Sequence, residues 1–260
     1  MPRPKRPINL PPPYLRRLWF DAKAQVDWSA YPFCLPLFRG GDFELSFDRP
    51  VTIIVGENGV GKSTLLEGIG KLAGFDEAGG GKGYRPVDRS RALDKSGDAL
   101  AGALRAAWLP KLSNGWFFRA ESFFAVARHL DIAALDARAA GVAAVPPDYL
   151  SHSHGEGFLR FFQERLRNQA LYLLDEPESA LSPTRQFLFM NFLRRSESSA
   201  AFQIVMATHS PLLMAYPGAT LLRLTKGGLE PVRLEDTDHF RLMRAFCADP
   251  WRFVETMGET

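Results

Sequence analysis

Nine consecutive residues, Gly56-Glu57-Asn58-Gly59-Val60-Gly61-Lys62-Ser63-Thr64, constrain this chain more than any other feature. They follow a short β-favouring run, Val51–Val55, and lead into a helical pattern from Lys62 to about Leu72. Glycines in such a turn let backbone N–H groups converge on phosphate oxygens without a Cβ in the way. A helix starting at Lys62 aims its positive end at the same anion. Lys62 is placed for the β- and γ-phosphates of a nucleoside triphosphate, and the Ser63 hydroxyl for Mg²⁺. Gly56, Asn58, Gly59, Val60, Gly61, Lys62, Ser63 and Thr64 are therefore candidate nucleotide-binding residues. A strand that feeds a helix through this loop belongs to an α/β fold with a mostly parallel core sheet.

The second constraint is Leu171-Tyr172-Leu173-Leu174-Asp175-Glu176. Four apolar residues bury a strand, and two carboxylates then emerge at its C-terminal end, where α/β proteins bind ligands. Asp175 is placed for the Mg²⁺ shell, and Glu176 to polarise a water against the γ-phosphate. A further apolar strand, Phe202–Ala207, ends in Thr208-His209-Ser210-Pro211. The two strands are joined by a helix that starts at Pro183, so they read as parallel neighbours.

Around this core the order is readable. Residues 1–17 hold six prolines, five basic residues and no acid. That composition predicts a basic extended arm, with Arg3, Lys5 and Arg6 as candidate nucleic-acid contacts. Phe33–Phe38, Phe43–Phe47 and Val51–Val55 predict three strands, the N-terminal β portion of the chain through residue 73. Residues 74–165 read as an insertion and a small helical lobe. The insertion carries Gly79-Gly80-Gly81 and the basic residues Arg85, Arg89 and Arg91, with a helix predicted over Ala99–Trp108. Helices are expected at about Ser122–His129 and Glu156–Asn168. Residues 166–260 complete the sheet, with a hairpin turning at Lys226-Gly227-Gly228 and a helical tail broken near Pro250. The whole is read as a single domain over 1–260.

Charge is nearly balanced, 32 basic against 29 acidic residues, which excludes a polyanion binder driven by bulk electrostatics. Cys34 and Cys247 have neither disulfide-framework nor zinc spacing, so a reducing cytoplasmic setting is expected. His152 and His154 lack a third ligand in sequence and read as helix-cap neighbours. No apolar run approaches the roughly 20 residues that span a bilayer, and no apolar segment follows the basic start to make a leader.

Together these residues resemble the ABC-type P-loop ATPases. Ser153-His154-Gly155-Glu156-Gly157 is similar to the family's signature loop, and Ser179-Ala180-Leu181-Ser182 to its D-loop. His209 stands where the family has a switch histidine. The narrower resemblance, through Phe117–Phe124, Ser151–Leu159 and Ala215–Thr220, is to small stand-alone bacterial AAA-family ATPases, RecF- or SMC-like heads without a coiled coil. The resemblance implies ATP and Mg²⁺ as ligands and Lys62, Glu176 and His209 as catalytic residues. It also implies an ATP-dependent homodimer in which Ser153, Gly155 and Glu156 reach the partner's nucleotide.

Departures from that family pattern are equally plain. No glutamine lies between Leu65 and Leu150, and Glu121 is the candidate to replace it as an Mg²⁺ or water ligand, with Arg119 to offset its charge. Phe38 is weighed as an adenine-stacking ring against an ordinary core phenylalanine. Three functional classes follow: an ATPase acting on a nucleic-acid or protein client, a transporter's nucleotide-binding subunit, and a nucleotide-sensing defence or toxin–antitoxin module. The short span between Glu121 and Ser153 disfavours a transporter partner, and the absence of heptads excludes a true SMC protein.

Overall fold

The computed structural model describes residues 10–76, 79–82, 96–112, 114–119, 123–143, 148–149, 151, 154–165, 169–196 and 202–257. In chain order the elements are β1 (Leu15–Phe20), β2 (Glu44–Ser46), β3 (Val51–Val55), α1 (Lys62–Ala73), β4 (Gly80–Gly81), α2 (Ser96–Ala103), β5 (Leu104–Trp108) and β6 (Gly115–Arg119). There follow α3 (Phe123–Ala139), α4 (His154–Arg165), β7 (Ala170–Asp175), a 3₁₀ turn (Pro177–Ala180), α5 (Pro183–Ser196), β8 (Phe202–Ala207) and α6 (Pro211–Met214). The chain closes with β9 (Thr220–Thr225), β10 (Gly228–Pro231), α7 (Asp238–Ala248) and α8 (Pro250–Met257).

A seven-stranded sheet in the order β10-β9-β3-β8-β7-β6-β4 forms the centre. Its strands from β9 to β6 run parallel, and the two edge strands are antiparallel. A smaller antiparallel sheet, β2-β1-β5, stands apart from it. Alternation along the strands feeds two cores. Val51, Ile53 and Val55 of β3 pack with Tyr172, Leu174, Phe158, Phe162 and Phe189 on one face. Ile54, Leu171 and Leu173 pack with Leu65, Leu66 and Ile69 of α1 on the other, where the small sheet adds Leu18, Leu45 and Leu104. A parallel sheet covered on both faces must be apolar on both, which is why β7 and β8 are buried at every residue.

The β1 strand takes in the end of the stretch read above as an arm. Its entry is held by Gln203 of β8, which is 0% exposed. The Gln203 Oε1 accepts from the backbone N–H groups of Tyr14 at 2.8 Å and Leu15 at 2.7 Å, and its Nε2 donates to the Leu15 carbonyl at 2.9 Å. A buried amide therefore completes what would be orphaned backbone groups. The strand expected at Phe33–Phe38 is instead a series of turns, with Leu35 N–H donating to Pro32 O and Phe38 N–H to Leu35 O. Pro32 and Pro36 cannot donate to a ladder, and Phe38 is buried by packing edge-on to Phe20 and Phe43. The helix expected over Ala99–Trp108 ends at Ala103, because Leu104–Trp108 pairs with β1 as β5. Tertiary pairing there outweighs the helical preference of Ala106 and Ala107. The helix expected at Ser122–His129 continues to Ala139, and the second segment of the hairpin ends at Pro231, so that Leu234 enters a 3₁₀ turn. The arm residues Arg3, Lys5 and Arg6, and Arg85, Arg89 and Arg91 of the insertion, lie outside the described residues.

Replacing Gln203 by Leu leaves two backbone N–H groups and one carbonyl buried without partners. The expected cost is roughly 2–4 kcal/mol, or about 5–10 °C in melting temperature for a chain of this size. A thermal melt that moves by less than about 2 °C would show that β1 is held mainly by its ladder instead.

Candidate functional site

The glycine-rich loop sits at the C-terminal end of β3. Gly56 has φ +154°, and a Cβ there would lie 2.7 Å from the Leu224 carbonyl. Gly61 has φ +106° and supplies the left-handed turn into α1. The first turn of α1 has no side-chain cap and no acidic residue, so its backbone N–H groups face the loop unopposed. That is the arrangement an anion requires.

Lys62 is 5% exposed, and its ammonium donates to the carbonyls of Gly56 at 2.8 Å and Glu57 at 2.9 Å. Burial pulls its pKa down, and the carboxylates of Glu176, Asp175, Glu57 and Glu178 partly oppose that. Ser63 Oγ donates to Asp175 Oδ1 at 3.0 Å, which joins the loop to the end of β7. Parallel register sets Arg119 of β6 beside Asp175. The Arg119 guanidinium donates to Glu67 of α1 at 2.8 Å and lies 3.7 Å from Asp175. Burial raises the Asp175 pKa to about 6, against the lowering effects of Arg119 and Ser63. Glu67 also accepts from Ser96, which ties α2 to the same cluster.

Glu176 follows at φ +50°, one of two non-glycine residues with positive φ among those described. This left-handed step, immediately before Pro177, turns the chain off the strand and leaves the carboxylate 44% exposed at the rim. Its Oε1 is 3.6 Å from Nε2 of His209, the imidazole at the end of β8. Glu178 is held close by: it accepts from Thr208 Oγ1 at 2.7 Å and from the His209 backbone N–H at 2.6 Å. The His209 pKa is lowered, first by burial and then by Lys62 and His239.

The fold therefore gathers Gly56–Thr64, Asp175, Glu176 and His209 at the C-terminal ends of three adjacent parallel strands. Gly155 and Glu156 start α4 elsewhere on this surface: Glu156 pairs with Arg185 at 2.8 Å, and Gly155 packs under Arg185 and the Ala180 carbonyl. Ser153 and Glu121 lie outside the described residues. Phe38 faces the core, so its ring is not available to a base. Tyr31, which the sequence reading passed over, is 51% exposed, and its hydroxyl shares a 2.8 Å hydrogen bond with Thr64 Oγ1. Glu178, Glu67 and His239 were also missed. An acid two residues beyond Glu176 was the one signal that pointed to Glu178.

The residues present suit Mg²⁺ with a triphosphate. Among the described residues no group of three His, Cys, Asp or Glu is arranged to hold a metal alone. A hard cation held by one hydroxyl, one carboxylate and substrate phosphates needs no such cage. Ser63 and Asp175 are the residues that would hold it, and the cation would supply charge neutralisation on the phosphate oxygens. No helix among the described residues is long and apolar enough to cross a membrane.

Two family models match segments of the chain. Residues 34–88 match a family described as "AAA domain", and residues 148–215 one described as "AAA domain, putative AbiEii toxin, Type IV TA system". No curated protein matches. Similar solved structures include an inward-facing "putative metal-chelate type ABC transporter", at 17% identity and TM-score 0.45 over 88% of each chain. Others are cbiO1 of Clostridium perfringens, part of the cbiONQ ABC transporter complex (18%, 0.41, 84% of this chain and 91% of that one), and dimeric MJ0796, a bacterial ABC transporter cassette (18%, 0.43, 76% and 91%). The two matched segments contain the phosphate loop Gly56–Thr64 and the strand ends that carry Asp175, Glu176 and His209.

Asp175 offers a direct check on the electrostatics. Its folded pKa of about 6 exceeds the ordinary aspartate value of 3.8, so the native state binds the extra proton and stability falls as pH rises from about 4 to 6. Without nucleotide or Mg²⁺, Asp175→Asn should be more stable than the parent at pH 7.5, by on the order of 2 kcal/mol, and should lose that advantage near pH 4. Denaturant melts at the two pH values read this out. An equal difference at both would mean that the carboxylate's charge is not what burial penalises.

Proposed function

We propose that the protein is a cytosolic Mg²⁺-dependent ATPase whose nucleotide-bound form is a homodimer acting on a nucleic-acid or protein client. The observation that carries the reading is the convergence of Lys62, Ser63–Asp175 and Glu176–His209 on one sheet edge. Lys62 and the α1 N-terminus grip the β- and γ-phosphates. Glu176 takes a proton from the attacking water as its oxygen bonds to the γ-phosphorus, and the bond to the β-phosphate oxygen breaks to leave ADP. His209 Nε2 faces the same region and supplies a hydrogen bond to the γ-phosphate. Tyr31 borders the Thr64 end of the loop and forms the wall beside the nucleoside.

Dimerisation rests on the resemblance of Ser153–Gly157 to a signature loop, together with the opening of Glu176 to solvent. A second copy related by a two-fold axis would place its Ser153, Gly155 and Glu156 over this chain's nucleotide, and the reverse. Glu121 is assigned to the water or Mg²⁺ shell in place of the missing glutamine. The toxin–antitoxin description of the family matched over 148–215 favours a defence setting as the second reading, with the same site acting mainly as a nucleotide sensor.

Lys62→Ala should abolish ATP binding. Glu176→Gln should bind ATP as the parent does while turnover drops at least about 100-fold, the usual worth of a general base. Light scattering of Glu176→Gln with Mg-ATP should give a dimer, and the nucleotide-free parent a monomer. Parent-like turnover in Glu176→Gln would remove the base assignment, and a monomer with ATP bound would remove the shared site. A parent that binds ATP with negligible turnover, whatever client is added, would select the sensor reading.

A further inference from the structure

We infer that His239, in the first turn of α7, is a positioning residue that fixes the tautomer of His209. The inference deepens the hydrolytic reading of the same site and rests on it for its kinetic consequence. His209 Nδ1 and His239 Nε2 are 2.8 Å apart, with the ring centroids 4.9 Å apart. A neutral imidazole has one N–H and one lone pair, so at this distance one ring donates and the other accepts. The choice is decided on the far side of His209. Its Nε2 is buried, has no hydrogen-bond partner, and lies 3.6 Å from Glu176 Oε1. With the proton on His209 Nδ1, the Nε2 lone pair would face a carboxylate, and beyond it the phosphate side of the site. Acceptor would oppose acceptor in a poorly solvated place. With His239 donating from Nε2 into His209 Nδ1, the His209 proton sits on Nε2 and points at the carboxylate and the anion. The second arrangement satisfies both ends.

The chain holds His239 where this requires it. Thr237 is buried as the N-cap of α7: its Oγ1 accepts from Phe240 N–H at 3.3 Å and donates to the Leu234 carbonyl at 2.7 Å. Arg241 fastens the same turn to the Glu235 carbonyl and to Asp236, both at 3.1 Å. Beyond this turn no residue of α7 is buried. His239 thus provides a point of direct contact between the C-terminal helical hairpin and the hydrolytic edge of the sheet.

Two variants and two readouts test the assignment in the full-length protein. His239→Leu should lower kcat for ATP about 10-fold or more with KM within twofold, the scale on which orienting partners act. His239→Gln keeps an N–H near the same place and should return kcat to within about threefold of the parent. Nitrogen-15 shifts of His209 should show a protonated Nε2 in the parent and in His239→Gln, and a mixture of tautomers in His239→Leu. Parent kcat in His239→Leu, equal losses in both variants with unchanged shifts, or a parent His209 protonated on Nδ1 would each overturn the inference. The nitrogen shifts stand apart from catalysis. A parent without ATPase activity would end the hydrolytic reading while the tautomer was still decided.

Discussion

Ionisable groups are buried together at one edge of the central sheet, where Lys62, Glu67, Arg119 and Asp175 each have a partner. Lys62, Glu67 and Asp175 are all less than a tenth exposed, and Arg119 lies between the two acids. An unpaired charge in such a place costs several kcal/mol, so the strands and helices that carry these groups must arrive in register for the fold to close. The parallel pairing of Arg119 with Asp175 across β6 and β7 sets one half of that register. The hydrogen bond from Ser63 to Asp175 sets the other, across the intervening β8. On the proposed function, ligand binding at this edge would exchange partners, with phosphate oxygens taking the place of the Gly56 and Glu57 carbonyls around Lys62. Charges already desolvated and held in place need little reorganisation when the ligand arrives, which is the physical content of a preorganised site.

Much of this was legible in the linear sequence, for a simple reason. The loop Gly56–Thr64 and the run Leu171–Glu176 are local patterns, and each states its own secondary structure and chemistry in nine residues or fewer. Strands β3, β7 and β8 needed only their apolar runs and, for the last two, the helix between them. What escaped depends on partners distant in sequence. Gln203 looks like one polar residue in an apolar strand, yet it anchors Tyr14 and Leu15 from 188 or 189 residues away. Leu104–Trp108 has helical composition and becomes a strand because β1 offers it a ladder. Phe33–Phe38 has strand composition and becomes turns because Pro36 within it and Pro32 just before it sit where a ladder would need donors. His239 carried no local signal at all, since its meaning comes from an imidazole 30 residues earlier.

The site also separates deep groups from one at the rim. Lys62 and Asp175 are deep, while Glu176 stands at the rim on a left-handed residue that the fold tolerates at some strain. That backbone step has a clear geometric effect. It ends the strand abruptly and lets Glu178, two residues on, turn back to bind Thr208 and the His209 N–H. One short turn therefore fixes the acid at the rim and the backbone of the histidine facing it. His239 acts on the other side of the same imidazole. His209 is thus held from its backbone by β7's turn and from its ring by α7.

A carboxylate that activates water works best when bulk water is kept from its charge, because solvent screening weakens every interaction it makes with the developing phosphate charge. Glu176 is nearly half exposed in the single chain, and His209 Nε2 beside it is buried without a hydrogen-bond partner. The glycine-rich loop and Lys62 lie within one chain, and the edge at Glu176 is open. Whatever closes that edge must cover Glu176 without displacing the phosphates, and must bring donors to an anion whose inner side is already occupied by Lys62 and the α1 N-terminus. A helix N-terminus meets both conditions, and on the proposed function the start of α4 of a second copy would supply it. On the proposed function, ATP would be held by one chain and committed to hydrolysis by two, so turnover would depend on the dimer while affinity for the nucleotide would not.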